Sequence, residues 1–131
     1  MRNREAPKGL DTWYGWADEA ACEVQASLPP VLREKLTGLI ITLDSKPSPD
    51  ETLQEGDREA LLGLFTGPSF GEEWEASDPT PPAIRLFVEN LRDEAEDDPS
   101  RFRQEVRITL LHEIGHYLGL DEDELADRGL E

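Results

Sequence analysis

The chain has 131 residues, thirteen Lys+Arg against thirty Asp+Glu, and a formal net charge of -17 at pH 7. That length suits one domain with one modest core, and the charge repels phosphate backbones and anionic lipid headgroups, so neither nucleic acid nor a membrane is an expected partner. Only 37% of residues are hydrophobic, yet three Trp, four Phe and two Tyr supply the apolar mass of a core, which excludes wholesale disorder.

The first residues, Met1 to Pro7, are basic with no apolar stretch behind them. They predict a flexible lead over residues 1–10 of a single domain spanning 1–131, and no secretory signal. From Asp11 to about Ser27, Trp13, Trp16, Ala17, Ala20, Val24 and Leu28 recur at helical spacing. The Trp13/Tyr14/Trp16 cluster follows that face and reads as core. Cys22, the one cysteine, has no partner for an intramolecular disulfide; flanked by Ala21 and Val24 it reads as a small buried hydrophobe. Pro29-Pro30 stops the helix, a short turn over Val31 to Leu36 leads to Gly38, and Leu39 to Leu43 reads as a strand. That run is far shorter than the roughly 18 residues of a membrane span, so with the lone cysteine the sequence predicts a cytoplasmic protein.

Residues 44 to 57 predict a loop, and Ala60 to Thr66 a second strand. Gly67 to Pro82, with five glycines and prolines named by Gly67, Pro68, Gly71, Pro79 and Pro81 before Pro82 itself, predicts an irregular, mobile stretch whose Phe70 and Trp74 pin it to the core. Ala83 to Val88 predicts a third strand and Glu89 to Asp98 an acidic helix or loop. Asp98-Pro99-Ser100 is a helix start, and Phe102, Val106, Leu110, Leu111, Ile114 and Leu118 mark the buried face of a long helix that Gly119 ends.

Both histidines, His112 and His116, lie four residues apart on that helix, which sets their imidazoles one above the other on a single face. This is a two-point metal clamp. Glu113, next to the first histidine, can take the proton of a metal-activated water without binding the metal. The segment is H-E-x-x-H, His112-Glu113-Ile114-Gly115-His116. Zinc needs a further ligand and the sequence offers only carboxylates, Asp121, Glu122 or Asp123, where Gly119 lets the chain fold back. Glu122 stands ten residues after His112, the place of the third ligand in H-E-x-x-H-x-x-G-x-x-(H/D). One Zn²⁺ is the expected cofactor, with other divalent ions able to bind imidazole as alternatives.

The segment Glu105 to Glu122 resembles the small bacterial zincin-like metallopeptidases, and the likeness extends more weakly upstream through the helix ending at Leu28, the strand Ile40 to Leu43, and the Leu61–Gly67 and Ala83–Val88 segments. The resemblance implies an α+β minimal zincin-like fold, a small mixed sheet flanked by helices with the H-E-x-x-H motif on the C-terminal long helix. It implies His112 and His116 as ligands, Glu113 as general base and an acidic third ligand after Gly119. Thermolysin-like enzymes place their third ligand about twenty or more residues downstream, metzincins need a methionine turn and this chain has only Met1, and the three-histidine ribosomal RNA maturation nucleases need one histidine more.

The function this predicts is zinc-dependent endopeptidase, its substrate a peptide or protein, basic or unfolded given the charge. The alternatives are a metal-binding interaction module with a zincin fold and little turnover, and a structural acidic protein without metal. An extended substrate is expected to pair with the Ala83–Val88 strand as a sheet edge, by analogy of fold. Tyr14, Tyr117, Arg85 and Arg107 are the candidates for an oxyanion donor, with Tyr117 expected to point elsewhere; oligomeric state is open.

Overall fold

The computed structural model describes residues 9–47, 61–70, 81–120 and 123–124. Residues 1–8 of the expected flexible lead, 48–57 of the expected 44–57 loop, Ala60 of the expected second strand, Trp74 with most of its loop, and Asp121 and Glu122 lie outside the described residues, while Leu10, expected in the lead, already begins the first helix. Helix α1 runs Leu10–Ser27, α2 Pro30–Lys35, β1 Ile40–Asp44, β2 Gly63–Thr66, β3 Ala83–Phe87, α3 Val88–Glu94 and α4 Pro99–Leu118. The protein is α+β, a mixed three-stranded sheet with helices packed on it and the longest helix at the C-terminal side.

The elements follow from local chemistry. Trp13, Ala17, Ala20, Ala21, Val24 and then Leu28 form the buried stripe of α1, and Pro29-Pro30 ends it. Trp13 meets Trp16 and Phe102 edge-on at 5.0 and 4.8 Å between ring centres, so the aromatic cluster is core where α1 meets α4. Cys22 is exposed, against expectation. It sits on the outer arc with Gly15, Asp18, Glu19 and Glu23, one helical step off the buried stripe, and neighbouring residues in sequence do not share a helix face.

β1 starts one residue later than the pattern suggests because the Leu39 N–H closes a turn onto the Leu36 carbonyl at 3.0 Å. β1 pairs parallel with β3, Ile40 opposite Ala83, and β2 pairs antiparallel with β3, Gly63 opposite Leu86. The strand order is β1-β3-β2, which overturns the expectation that Ala83–Val88 is a substrate-binding edge. β3 carries Ile84, Leu86 and Phe87 with no solvent exposure, the signature of a central strand, and Val88 already begins α3.

Alternation along the strands gives the sheet two faces. Ile84 and Leu86, with Ile41, Leu43 and Phe65, pack into the helical core. Arg85, between Ile84 and Leu86, turns the other way, where its Nε donates to Asp44 Oδ2 at 2.6 Å. The Gly67–Phe70 segment is tied down as predicted: the Phe70 N–H donates to the Tyr117 carbonyl at 2.8 Å, and its ring meets Tyr117 edge-on at 5.9 Å.

Candidate metal centre

Helix α4 places every residue of the motif, and its ends explain why. Asp98 accepts from the Ser100 N–H at 3.1 Å with Pro99 at the first helical position, and Gly119 at φ 74 closes the other end. The Leu120 N–H reaches the Gly115 carbonyl at 2.8 Å and the Gly119 N–H the His116 carbonyl at 3.1 Å, the paired bonds of a Schellman cap.

Between those caps the helix presents three stripes. Phe102, Val106, Leu110 and Ile114 are fully buried. Thr109, Glu113 and Tyr117, four residues apart, lie over β2: a Cβ on Gly63 would stand 2.7 Å from Thr109 Cγ2, and Phe65 packs against Tyr117 at 5.8 Å between ring centres. The third stripe, Glu105, Ile108, His112 and His116, faces outward beside the sheet.

The two imidazoles stand 4.5 Å apart between ring centres, both exposed. One ion at the usual distance of about 2.0–2.1 Å from nitrogen can be shared at that spacing. Glu113 Oε1 lies 3.9 Å from His116 Nδ1, and its side chain is 11% exposed where that of His116 is 52% exposed. Burial raises the Glu113 carboxyl above the ordinary glutamate range; the two histidines and a backbone hydrogen bond from Phe65 pull the other way without cancelling it. A carboxyl partly withdrawn from water beside two accessible imidazoles can move a proton, and the imidazole ring nitrogens can hold a cation.

Gly63 and Phe65 are the contributors that sequence reasoning missed. The Phe87 N–H donates to the Leu62 carbonyl at 3.0 Å, so in this antiparallel pair Leu62 and Leu64 turn their backbone groups toward β3. Gly63 and Phe65 turn theirs to the opposite edge, where no strand pairs among the described residues, which is how the Phe65 N–H meets Glu113. The only trace in the sequence is a glycine beginning a strand, where a Cβ is excluded by close approach.

Among the described residues no set of three metal-ligating side chains comes together; the candidates Asp121 and Glu122 lie outside them, and Asp123 is exposed. The candidate oxyanion donors go elsewhere, Tyr117 as expected. Tyr117 is buried with its hydroxyl donating to the Lys35 carbonyl at 3.4 Å, Tyr14 meets Ser45 Oγ at 2.9 Å, and Arg85 occupies the far face of the sheet. Arg107 is exposed, five residues before His112 and hence on another side of α4.

The zincin-like metallopeptidase family model matches residues 36–130. The chain belongs to that family. The match takes in the three strands, α3 and α4 and leaves α1 and α2 outside it. No curated protein matches this zincin-like chain.

A groove of about 290 Å³ opens beside Glu113, between the start of β2 and α4. Leu61, Leu62 and Ile108 give it hydrocarbon walls, Glu105 stands at one end, and His112 and Glu113 at the other. A larger hollow of about 460 Å³ near Gln25, Arg33, Leu36 and Thr37 lies at the α1–α2 corner and has no metal-ligating side chain among its described residues.

Proposed function

We propose that this zincin-like protein is a cytoplasmic zinc-dependent endopeptidase in which His112, His116 and Glu122 hold one ion and Glu113 is the general base. The observation that carries the reading is the pairing of two accessible imidazoles, tilted 55° to each other with ring centres 4.5 Å apart, with a single largely buried carboxyl beside them. An imidazole pair completed by a carboxylate suits zinc among the divalent ions. No described helix is long and apolar enough to cross a membrane, and the strongly acidic chain favours a basic or unfolded polypeptide as substrate.

Zinc bound there supplies a Lewis acid that brings the pKa of water toward about 7 and stabilises charge growing on a carbonyl oxygen. Glu113 Oε1 accepts the proton of the attacking water and passes it to the departing amine nitrogen. Burial raises its proton affinity above that of an ordinary glutamate, and the Phe65 N–H fixes where the carboxyl points. The outer edge of β2, which pairs with no strand among the described residues, offers Gly63 and the Phe65 carbonyl to an extended peptide, where central β3 cannot.

The test is a pair of variants. Glu113→Gln keeps metal content near wild type while cleavage of a denatured basic polypeptide falls at least about a hundredfold. His112→Ala with His116→Ala loses the metal, read by elemental analysis. One observation favours a second reading, a metal-binding interaction module: no tyrosine or arginine among the described residues reaches the site as an oxyanion donor. Wild type and Glu113→Gln that process a broad panel of denatured substrates alike, both with metal bound, would support that module instead.

A further inference from the structure

The outward stripe of α4 does not stop at the histidines. One turn before His112 stands Ile108, 49% exposed, and one turn before that Glu105, so an aliphatic and an acidic side chain continue the line along the same face. Ile108 is the most exposed large apolar side chain of α4, and it stands beside the Leu61–Leu62 segment rather than alone on the surface. Across from it, Leu61 and Leu62 lead into β2, and the floor is low because Gly63 has no side chain. The groove between them, about 290 Å³, exceeds the roughly 150 Å³ of an apolar cavity that admits a benzene ring. It opens onto Glu113 and onto the edge of β2 that pairs with no strand among the described residues, so a peptide paired along that edge would lower a side chain into it.

The charge at the far end is as specific as the walls. Glu105 forms no ion pair among the described residues, and the described lining has no cation, only Glu105 and Glu113. We infer that this groove is a substrate side-chain subsite that takes one large aliphatic residue, with a lysine or arginine beside it in the substrate meeting Glu105. The inference rests on the peptidase reading and sharpens it, replacing a global preference for basic chains by a local recognition element. An apolar groove discriminates by size, at about tenfold or more per methylene in favourable cases, and an unpaired carboxylate discriminates by sign.

Binding and cleavage separate the two ideas. The probes are four fluorescent Gly/Ser decapeptides with a central Leu-Lys, Ala-Lys, Leu-Glu or Ala-Glu pair, titrated by anisotropy into zinc-loaded Glu113→Gln protein. Leu-Lys should bind at least about tenfold tighter than either single replacement. Ile108→Asp should bring Leu-Lys down to the Ala-Lys level, Ile108→Ala should do so in part, and Glu105→Lys should reverse the order of Leu-Lys and Leu-Glu. Both positions are solvent-facing, and thermal melts identify any variant that loses its fold, leaving the other to decide. Equal binding of the four peptides, no binding of any, or unchanged order in the folded variants overturns the subsite. Cleavage by wild type is scored apart: selective binding without cleavage retains the groove and removes the peptidase reading, and unselective cleavage does the reverse.

Discussion

Glu113 is a carboxyl under strand β2 with little water around it, and that burial has a pH signature. Its pKa is raised in the folded chain, so between the ordinary glutamate value of about 4.3 and the raised one the native state holds a proton that the unfolded state has lost. Folding stability from this group is intact at acid pH and declines as pH rises through that window. In chelator-treated protein, therefore, Glu113→Gln should gain stability over wild type as pH rises from acid to neutral, measured by urea denaturation; a difference independent of pH would show that the carboxyl is not desolvated. Gly63 makes the close approach possible. A methyl there would stand 2.7 Å from Thr109 Cγ2, so Gly63→Ala should cost about 1–3 kcal/mol. Thr109→Ser removes that methyl, and the double variant should recover much of the loss, a coupling of about 0.5–3 kcal/mol in a double-mutant cycle. Simple additivity of the two would mean the helix does not rest on β2 through this contact.

At the scale of elements, α4 is a rigid bar whose C-terminal cap aims the chain that follows. Gly119 has open space around its missing Cβ, so Gly119→Ala should feel only the left-handed backbone, about 1–2 kcal/mol, and Gly119→Asn less. Asp98→Ala removes the opposite cap for a similar loss, about 0.5–2 kcal/mol. Zinc titration then separates the ends: Gly119→Ala should weaken metal affinity and Asp98→Ala should leave it close to wild type, because only the first redirects the segment holding Glu122. Equal affinities in the two would remove Glu122 from the ligand set. The strands teach a different lesson. Ala83 to Val88 is apolar enough for a strand, but edge and centre differ by what pairs on each side, and that is settled by β1 arriving parallel and β2 antiparallel. Complete burial of Ile84, Leu86 and Phe87 is the consequence.

For the molecule as a whole, thirty acids against thirteen bases make self-repulsion a standing strain on the fold. Salt screens it over a Debye length of about 8 Å at 0.15 M, so the melting temperature should rise between low and physiological ionic strength. The same screening should weaken capture of a lysine-containing peptide, moving KM upward while kcat changes little. A melting temperature that falls with salt would show that native ion pairs such as Arg85–Asp44 and Arg103–Glu19 outweigh the repulsion.

By itself the sequence determined those features that depend on neighbours a few residues away. Helical spacing announced α1 and α4, Asp98-Pro99 and Gly119 marked the ends of α4, and the four-residue step put His112 and His116 on one face, because a helix repeats its own geometry wherever it lies. Branched runs announced three strands for the same local reason, with ends displaced by a residue or more where turns intervened. Which strand lies in the middle, how β2 comes to sit under Thr109 and Glu113, that the Phe65 N–H meets the carboxyl and that Ile108 borders a groove were decided by tertiary structure alone. These depend on pairs far apart in the chain, Gly63 with Thr109 and Leu62 with Phe87, whose contact no periodicity encodes. Cys22 shows the same limit at its smallest: its apolar neighbours lie beside it in sequence, and the helix turns them to a different side.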